Sequence, residues 1–286
     1  MKYSVISNSI LKQVYKKRDS WSHKGDYGKL LVIAGSERIT GAPVLIGKAA
    51  LRSGCDTVYF AGPKRAMDSA AFAFPTFVNQ PLEGRELMEE HLPAIISFMN
   101  DMKPSGVAIG PGLWRTEKTR QAVIKIVEMV NLPLVIDADA IRAISGAKEL
   151  LKRKTAVLTP HANEFKELTG TEVTTDIDER IEAVRSEAKK WRTTILLKGH
   201  VNIISDGRRV ALNKTGNPFM TKGGCGDTLT GICAAILCRR IETIEPFVAA
   251  CAAAYINGRA GDIAAKKYKS GLLPTDLIEA IPEVFS

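Results

Sequence analysis

Short unbroken apolar runs recur along this 286-residue chain, each closed by glycine or a small polar residue and followed by a helical period. Residues 30–34, 106–109, 134–136 and 156–158 are the clearest, and 56–60 and 194–197, which open on polar residues, read as strands of the same kind. A strand apolar at every position has to be buried on both faces, which confines it to the interior of a parallel sheet. Helical patterns open at Thr40-Gly41-Ala42-Pro43 and cover 85–99, 116–130, 177–191, 245–267 and a short stretch after Pro274. Residues 76–79 read as a weaker strand. Residues 202–205 and 209–212 flank Asp206-Gly207 as a β-hairpin. The first 28 residues, polar and basic, read as a surface arm. The expected fold is α/β, a mostly parallel central sheet covered by helices on both faces, in a single domain spanning 1–286.

Charge and cysteine content remove several function classes. The net charge of +9 is spread over small groups such as Lys152-Arg153-Lys154 and Arg239-Arg240, with no aromatic-basic nucleic-acid module. Nucleic acid is therefore not an expected partner. The five cysteines form no C-x-x-C pair and have no histidine at metal spacing, so structural zinc is not expected. The N-terminus lacks a signal-peptide core, and the longest apolar run, 247–256, is too short to span a bilayer. The expectation is a soluble, cytoplasmic protein with no membrane partner.

In open parallel sheets, ligands bind beyond the carboxyl ends of the strands. Here those ends carry Gly35-Ser36, Gly110-Pro111-Gly112, Asp137/Asp139, His161 to Glu164 and Lys198-Gly199. The first βα turn is not G-x-G-x-x-G, and no acid closes the second strand, which argues against a dinucleotide-binding Rossmann site. Asp137 and Asp139 could hold Mg²⁺ beside nucleotide phosphates, or Asp139 could cap the following helix. Glu164 serves equally as a first-turn acid, and Lys198 as a phosphate partner or a surface cation.

The densest signal is Gly223-Gly224-Cys225-Gly226-Asp227, running directly into an apolar helix. Glycine backbone and a helix N-terminus together make an anion hole of main-chain N–H groups. A carboxylate beside a phosphate cradle is electrostatically awkward unless it accepts a proton from the group that attacks the phosphate. Asp227 is the candidate base; as a plain helix cap it would need no such cradle.

The G-G-x-G-D-x-L-T-G run resembles the anion-hole signature of the ribokinase-like superfamily. With SHKGDYGKLLVIAGS, TGAPVLIGKAALRSG, VIDADAI, LTPHANEF and LLKGHVNIISDG in the same order, residues 20–285 resemble the ADP/ATP-dependent NAD(P)H-hydrate dehydratases. The resemblance implies Ala42, Gly112, His161 and Asp227 around the hydrated nicotinamide nucleotide. It implies Lys198, Gly199, His200, Val201, Asn202 and Gly226 around ADP or ATP, with Mg²⁺ supported by Glu164 and, more weakly, Asp137. Chains of this single-domain bacterial type tend to use ADP, giving AMP and phosphate. The implied partners are NADHX or NADPHX, an adenine nucleotide, a separate epimerase, and further copies of the chain in a homotetramer. Three positions depart from the pattern: Cys225 for threonine, Asn163 for glycine and Phe219 for glycine. The rival readings are a vitamin-precursor kinase of the same fold and a non-catalytic nucleotide sensor.

Overall fold

A computed structural model describes residues 3–241 and 243–285. In chain order the elements are β1 (Ser4–Val5), α1 (Ser9–Val14), β2 (Lys29–Ile33), α2 (Gly41–Arg52), β3 (Thr57–Pro63), α3 (Lys64–Ala73) and β4 (Val78–Leu82). There follow α4 (Leu92–Met102), β5 (Gly106–Ile109), α5 (Glu117–Met129), β6 (Leu134–Ile136), α6 (Asp139–Ala143), β7 (Ala156–Leu158) and α7 (Ala162–Thr169). The chain ends with α8 (Ile177–Trp191), β8 (Thr194–Leu197), β9 (Asn202–Ser205), β10 (Val210–Asn213), α9 (Cys225–Leu237), α10 (Pro246–Tyr268) and α11 (Pro274–Ala280).

The strands form one ten-stranded sheet in the order β1-β10-β9-β8-β7-β6-β5-β2-β3-β4. From β4 to β8 every neighbouring pair is parallel, while β9 runs antiparallel to both β8 and β10. The apolar strands sort by parity, as a period of two requires. Leu30, Val32, Val58, Phe60, Val135 and Val157 pack under α2, α9 and α10. Leu31, Ile33, Tyr59, Ile109, Leu134 and Leu158 pack under α5, α7 and α8 on the other face. The fully apolar runs are thus explained by two cores, one on each side.

The chain leaves β2 towards β3 and β4, then returns to β5 and builds outward in the opposite direction. The carboxyl ends of β2 and β5 therefore form a topological switch point, where the crevice of such a sheet opens. Helix α9, buried almost all round, lies against α2 so closely that a Cβ on Gly231 would overlap the Ile46 carbonyl oxygen. That packing fixes the N-terminus of α9 at the crevice.

Some expectations shift. The strand expected at 76–79 is β4, at the sheet edge, where Pro81 costs no ladder bond. The helix expected at 85–99 starts later, because Pro93 suits its first turn, and α4 runs to Met102. The supposed surface arm is partly structural: β1 pairs with β10, and Val14 is fully buried. Helix α3 was not anticipated, and α6 and α7 were expected only as helices beginning at Asp139 and near Glu164, without bounds. All five cysteines are free and buried. Among the described residues no helix is long and apolar enough to cross a membrane.

Candidate active site

Gly224 sits at φ +101°, a conformation that L side chains rarely adopt, and serves as N-cap of α9. A Cβ there would meet Leu45 of α2 at 2.6 Å and Pro274 at 2.9 Å, so the turn is clamped as well as bent. Among the described residues, the N–H groups of Gly223, Gly224, Gly226 and Asp227 have no protein acceptor. They are four donors at the positive end of a thirteen-residue helix. Cys225 departs from the expected hole: its N–H donates to the Lys222 carbonyl at 3.3 Å.

Asp227 lies on the first turn of α9, partly buried. Its carboxylate takes no hydrogen bond from any described residue, so it is not acting as a cap. Burial, and then the nearby Asp137 carboxylate, push it up to about 7, against the pull of Lys198. A carboxylate with that affinity for a proton is suited to accept one near neutrality.

Asp137 and Asp139 do not form the expected pair. Between them Ala138 holds φ +50° and ψ −123°, a strained turn that sends the two side chains apart. Asp137 is buried; its Oδ1 lies 2.8 Å from Lys198 Nζ, and its Oδ2 accepts from Thr230 Oγ1 at 2.7 Å. Asp139 instead accepts from Trp114 N–H at 3.2 Å and Arg115 Nε at 3.0 Å. It neither caps α6 nor faces the crevice beside Asp137, because its oxygens hold the loop after β5.

His161 and Glu164 form a capping box for α7: Glu164 N–H donates to His161 Nδ1 at 3.2 Å, and His161 N–H to Glu164 Oε2 at 2.9 Å. That same Oε2 is 3.7 Å from Lys198 Nζ, and Oε1 is 3.2 Å from His161 Nε2. Lys198 therefore sits between two buried carboxylates. Burial works against its charge, but Asp137 and Glu164 outweigh that and hold the ammonium above the ordinary lysine value. The carboxylate oxygens expected to support Mg²⁺ are thus engaged within the protein. Among the described residues no three His, Cys, Asp or Glu side chains converge as a metal site.

These contacts link the predicted residues into one rim. A Cβ on Gly112 would lie 3.5 Å from that of Ala42, on the helix whose Leu45 touches Gly224. A Cβ on Gly226 would lie 3.5 Å from Lys198 Nζ, which leads through Glu164 to His161. Gly199, His200 and Val201 lie in the loop between β8 and β9, closed by Gly199 N–H donating at 3.1 Å to Oδ1 of Asn202, the first residue of β9. Sequence reading missed Thr230, which orients Asp137, and Arg180 of α8, whose guanidinium stands beside Gly199. No local pattern marks either residue; both matter only through the fold. Replacing Lys198 by Met is expected to weaken adenine-nucleotide binding at least tenfold by calorimetry. It should also lower the melting temperature by several degrees, since two buried carboxylates would lose their cation.

A family model described as NAD(P)H-hydrate dehydratase matches residues 30–283. The bifunctional NAD(P)H-hydrate repair enzyme Nnr of Pyrobaculum aerophilum is 42% identical over 265 residues, covering 92% of this chain and 51% of that one. The chain thus spans about half the length of the bifunctional relatives it matches. The ADP-dependent (S)-NAD(P)H-hydrate dehydratase of Cenarchaeum symbiosum is 39% identical over 275 residues, 94% of this chain and 91% of that one. The ADP/ATP-dependent NAD(P)H-hydrate dehydratase of Bacillus subtilis, co-crystallized with ATP/Mg²⁺, superposes with a TM-score of 0.81 at 28% identity, covering 100% and 98% of the two chains. The fold is ribokinase-like. With the match running from β2 almost to the C-terminus, through every strand end that builds the rim, this chain belongs to the NAD(P)H-hydrate dehydratase family.

Proposed function

We propose that this protein is an ADP-dependent dehydratase, a carbon–oxygen lyase that returns the S-epimer of hydrated NADH or NADPH to the reduced cofactor with release of AMP and phosphate. The observation that carries the reading is Asp227, an unpartnered and partly buried carboxylate placed beside four unsatisfied N–H donors. Phosphate binding alone would be weakened by such a carboxylate; phosphoryl transfer to a hydroxyl calls for one, to take the hydroxyl proton.

In this reading the hydrated ring rests against Ala42, Gly112 and His161, with its hydroxyl facing Asp227. The nucleotide lies along the Lys198–Asn202 loop and Gly226, its terminal phosphate over the α9 turn. Asp227 takes the hydroxyl proton while the hydroxyl oxygen attacks that phosphorus and the bond to the leaving nucleotide breaks. The turn amides of Gly223, Gly224 and Gly226 hold the transferring oxygens, and Lys198 offsets charge on the departing phosphate. The ring nitrogen then expels the phosphate, and a proton leaves the adjacent ring carbon to restore the dihydropyridine. Because Asp137 and Glu164 are already engaged, the residues present do not fit a protein-held magnesium. The metal enters with the nucleotide as part of that substrate, as Mg²⁺ commonly does. The same reading carries a separate epimerase that interconverts the hydrate epimers, and a homo-oligomer, the tetramer implied by resemblance.

The test is a direct assay on prepared NADPH hydrate, supplying Mg²⁺ with ADP or ATP in parallel. Reduced-nicotinamide absorbance should recover, and faster with ADP. A stable phosphate ester instead would identify a kinase, and nucleotide binding with no turnover a sensor.

A further inference from the structure

Trp114 follows Gly110-Pro111-Gly112-Leu113 beyond β5 and holds φ +81°, a left-handed conformation costly for a bulky residue. Strain of this kind is usually repaid by packing, yet Trp114 remains 37% exposed at the crevice mouth. The conformation is actively held: Asp139 accepts the Trp114 N–H at 3.2 Å and ties down Arg115 beside it. Over the indole, 4.9 Å from the ring centroid, stands the guanidinium of Arg38. Arg38 belongs to the turn after β2, where Ser36 N–H bonds the Ile39 carbonyl and Gly35 N–H bonds the Pro111 carbonyl at 2.9 Å. Ile39 of that turn would be 2.7 Å from a Cβ on Gly112. The two turns are therefore one built surface beside Gly112 and Ala42.

The charges on this rim are otherwise settled. Glu37 pairs with Arg85, and Asp139 pairs with Arg115 and Arg142. Arg38 has no carboxylate partner and no side-chain hydrogen bond among the described residues, and its guanidinium carbon stands 4.9 Å from the indole centroid. An indole more than a third exposed can stack a purine on the face that Arg38 does not cover, and an Arg without a protein acceptor is a bidentate phosphate ligand. We propose that Trp114 and Arg38 receive the adenosine end of the hydrated dinucleotide, Trp114 by stacking on adenine and Arg38 by binding the ribose 2′-phosphate, so that NADPHX is selected over NADHX. The proposal rests on the dehydratase reading, which supplies a dinucleotide as the substrate. It names both residues as specificity determinants, not as catalysts.

The test compares the two hydrates in the wild-type protein, Arg38→Met and Trp114→Ala. The wild-type ratio of kcat/KM, NADPHX over NADHX, should be about tenfold, the worth of one charge-assisted phosphate contact. Arg38→Met should bring that ratio close to one. Trp114→Ala should raise KM for both hydrates about tenfold with little change in kcat. A wild-type ratio near one, or an Arg38→Met loss equal for both hydrates, would overturn the proposal. Calorimetric titration with NADPH, NADH and ADP gives a second readout that needs no turnover. Wild-type protein should bind NADPH about tenfold tighter than NADH, Arg38→Met should lose that difference, and ADP affinity should stay on the wild-type value. Weakened ADP in Arg38→Met would assign the platform to the phosphate donor and refute the proposal. Absent turnover of either hydrate, with the NADPH preference intact, would count against the dehydratase reading alone.

Discussion

Asp227→Asn is expected to lower kcat by about three orders of magnitude, in the range set by loss of a positioned general base. Calorimetry should show nucleotide affinity within a few-fold of wild type, because the turn amides and Lys198 remain. Wild-type kcat/KM should rise with pH through about 7, where the free carboxylate loses its proton. The same group bears on stability. Its folded pKa stands above its unfolded value near 4, so between those values the folded chain holds more protons. Stability therefore falls as pH rises through that window, by an amount on the order of 4 kcal/mol at most. Asp227→Asn removes the effect: its melting temperature should exceed the wild type by several degrees at pH 8 and hardly at all at pH 4. Equal turnover in the variant would remove Asp227 from the chemistry, and a pH-independent difference in melting temperature would remove its buried charge from the stability account.

Gly110→Ala should be among the most damaging single changes in the chain. Gly110 sits at φ +132°, and a Cβ there would overlap the Asp137 carbonyl oxygen and press on Ala140. Neither clash can be relieved by a side-chain rotation, because the first partner is backbone. The cost is expected to exceed about 3 kcal/mol, seen as a lower urea midpoint. Displacing Asp137 would also loosen Lys198, so nucleotide affinity should fall in whatever folded protein remains. Gly223→Ala is the contrast: nothing lies within 4 Å of a Cβ there, and its stability should stay within about 0.5 kcal/mol of wild type. Similar midpoints for Gly110→Ala and the wild type would contradict the close approach of β5 to the β6–α6 turn.

The parallel sheet was legible because burial on both faces forces strand positions to be apolar; β5, β6 and β7 obey that throughout, and β2 and β8 depart from it only at their first residues, Lys29 and Thr194. Where burial is partial the signal weakens. Edge strand β4 tolerates Asn79, Gln80 and Pro81, and its bounds were misplaced. Short helices such as α6 and α7 are set by the turns they cap, not by a period long enough to read. At the site, the glycine turn and Asp227 could be read because their chemistry is local: backbone donors, a helix start and a carboxylate within five residues. The fates of Asp137 and Asp139 could not, since one strained residue, Ala138, decides which way each points. Nor could the pairing of Lys198 with Glu164, which joins two strand ends through space. The resemblance named Glu164 and Asp137 for magnesium by motif alone. The geometry gives their oxygens to Lys198, Thr230 and the His161 backbone.

The central claim is that the ring hydroxyl becomes a phosphate before it leaves. Hydrate labelled with ¹⁸O at that hydroxyl, turned over with Mg²⁺ and ADP, tests it directly. Phosphoryl transfer requires that the label appear in inorganic phosphate, with one atom transferred per reduced cofactor formed. Label recovered in water, with phosphate unlabelled, would contradict the account.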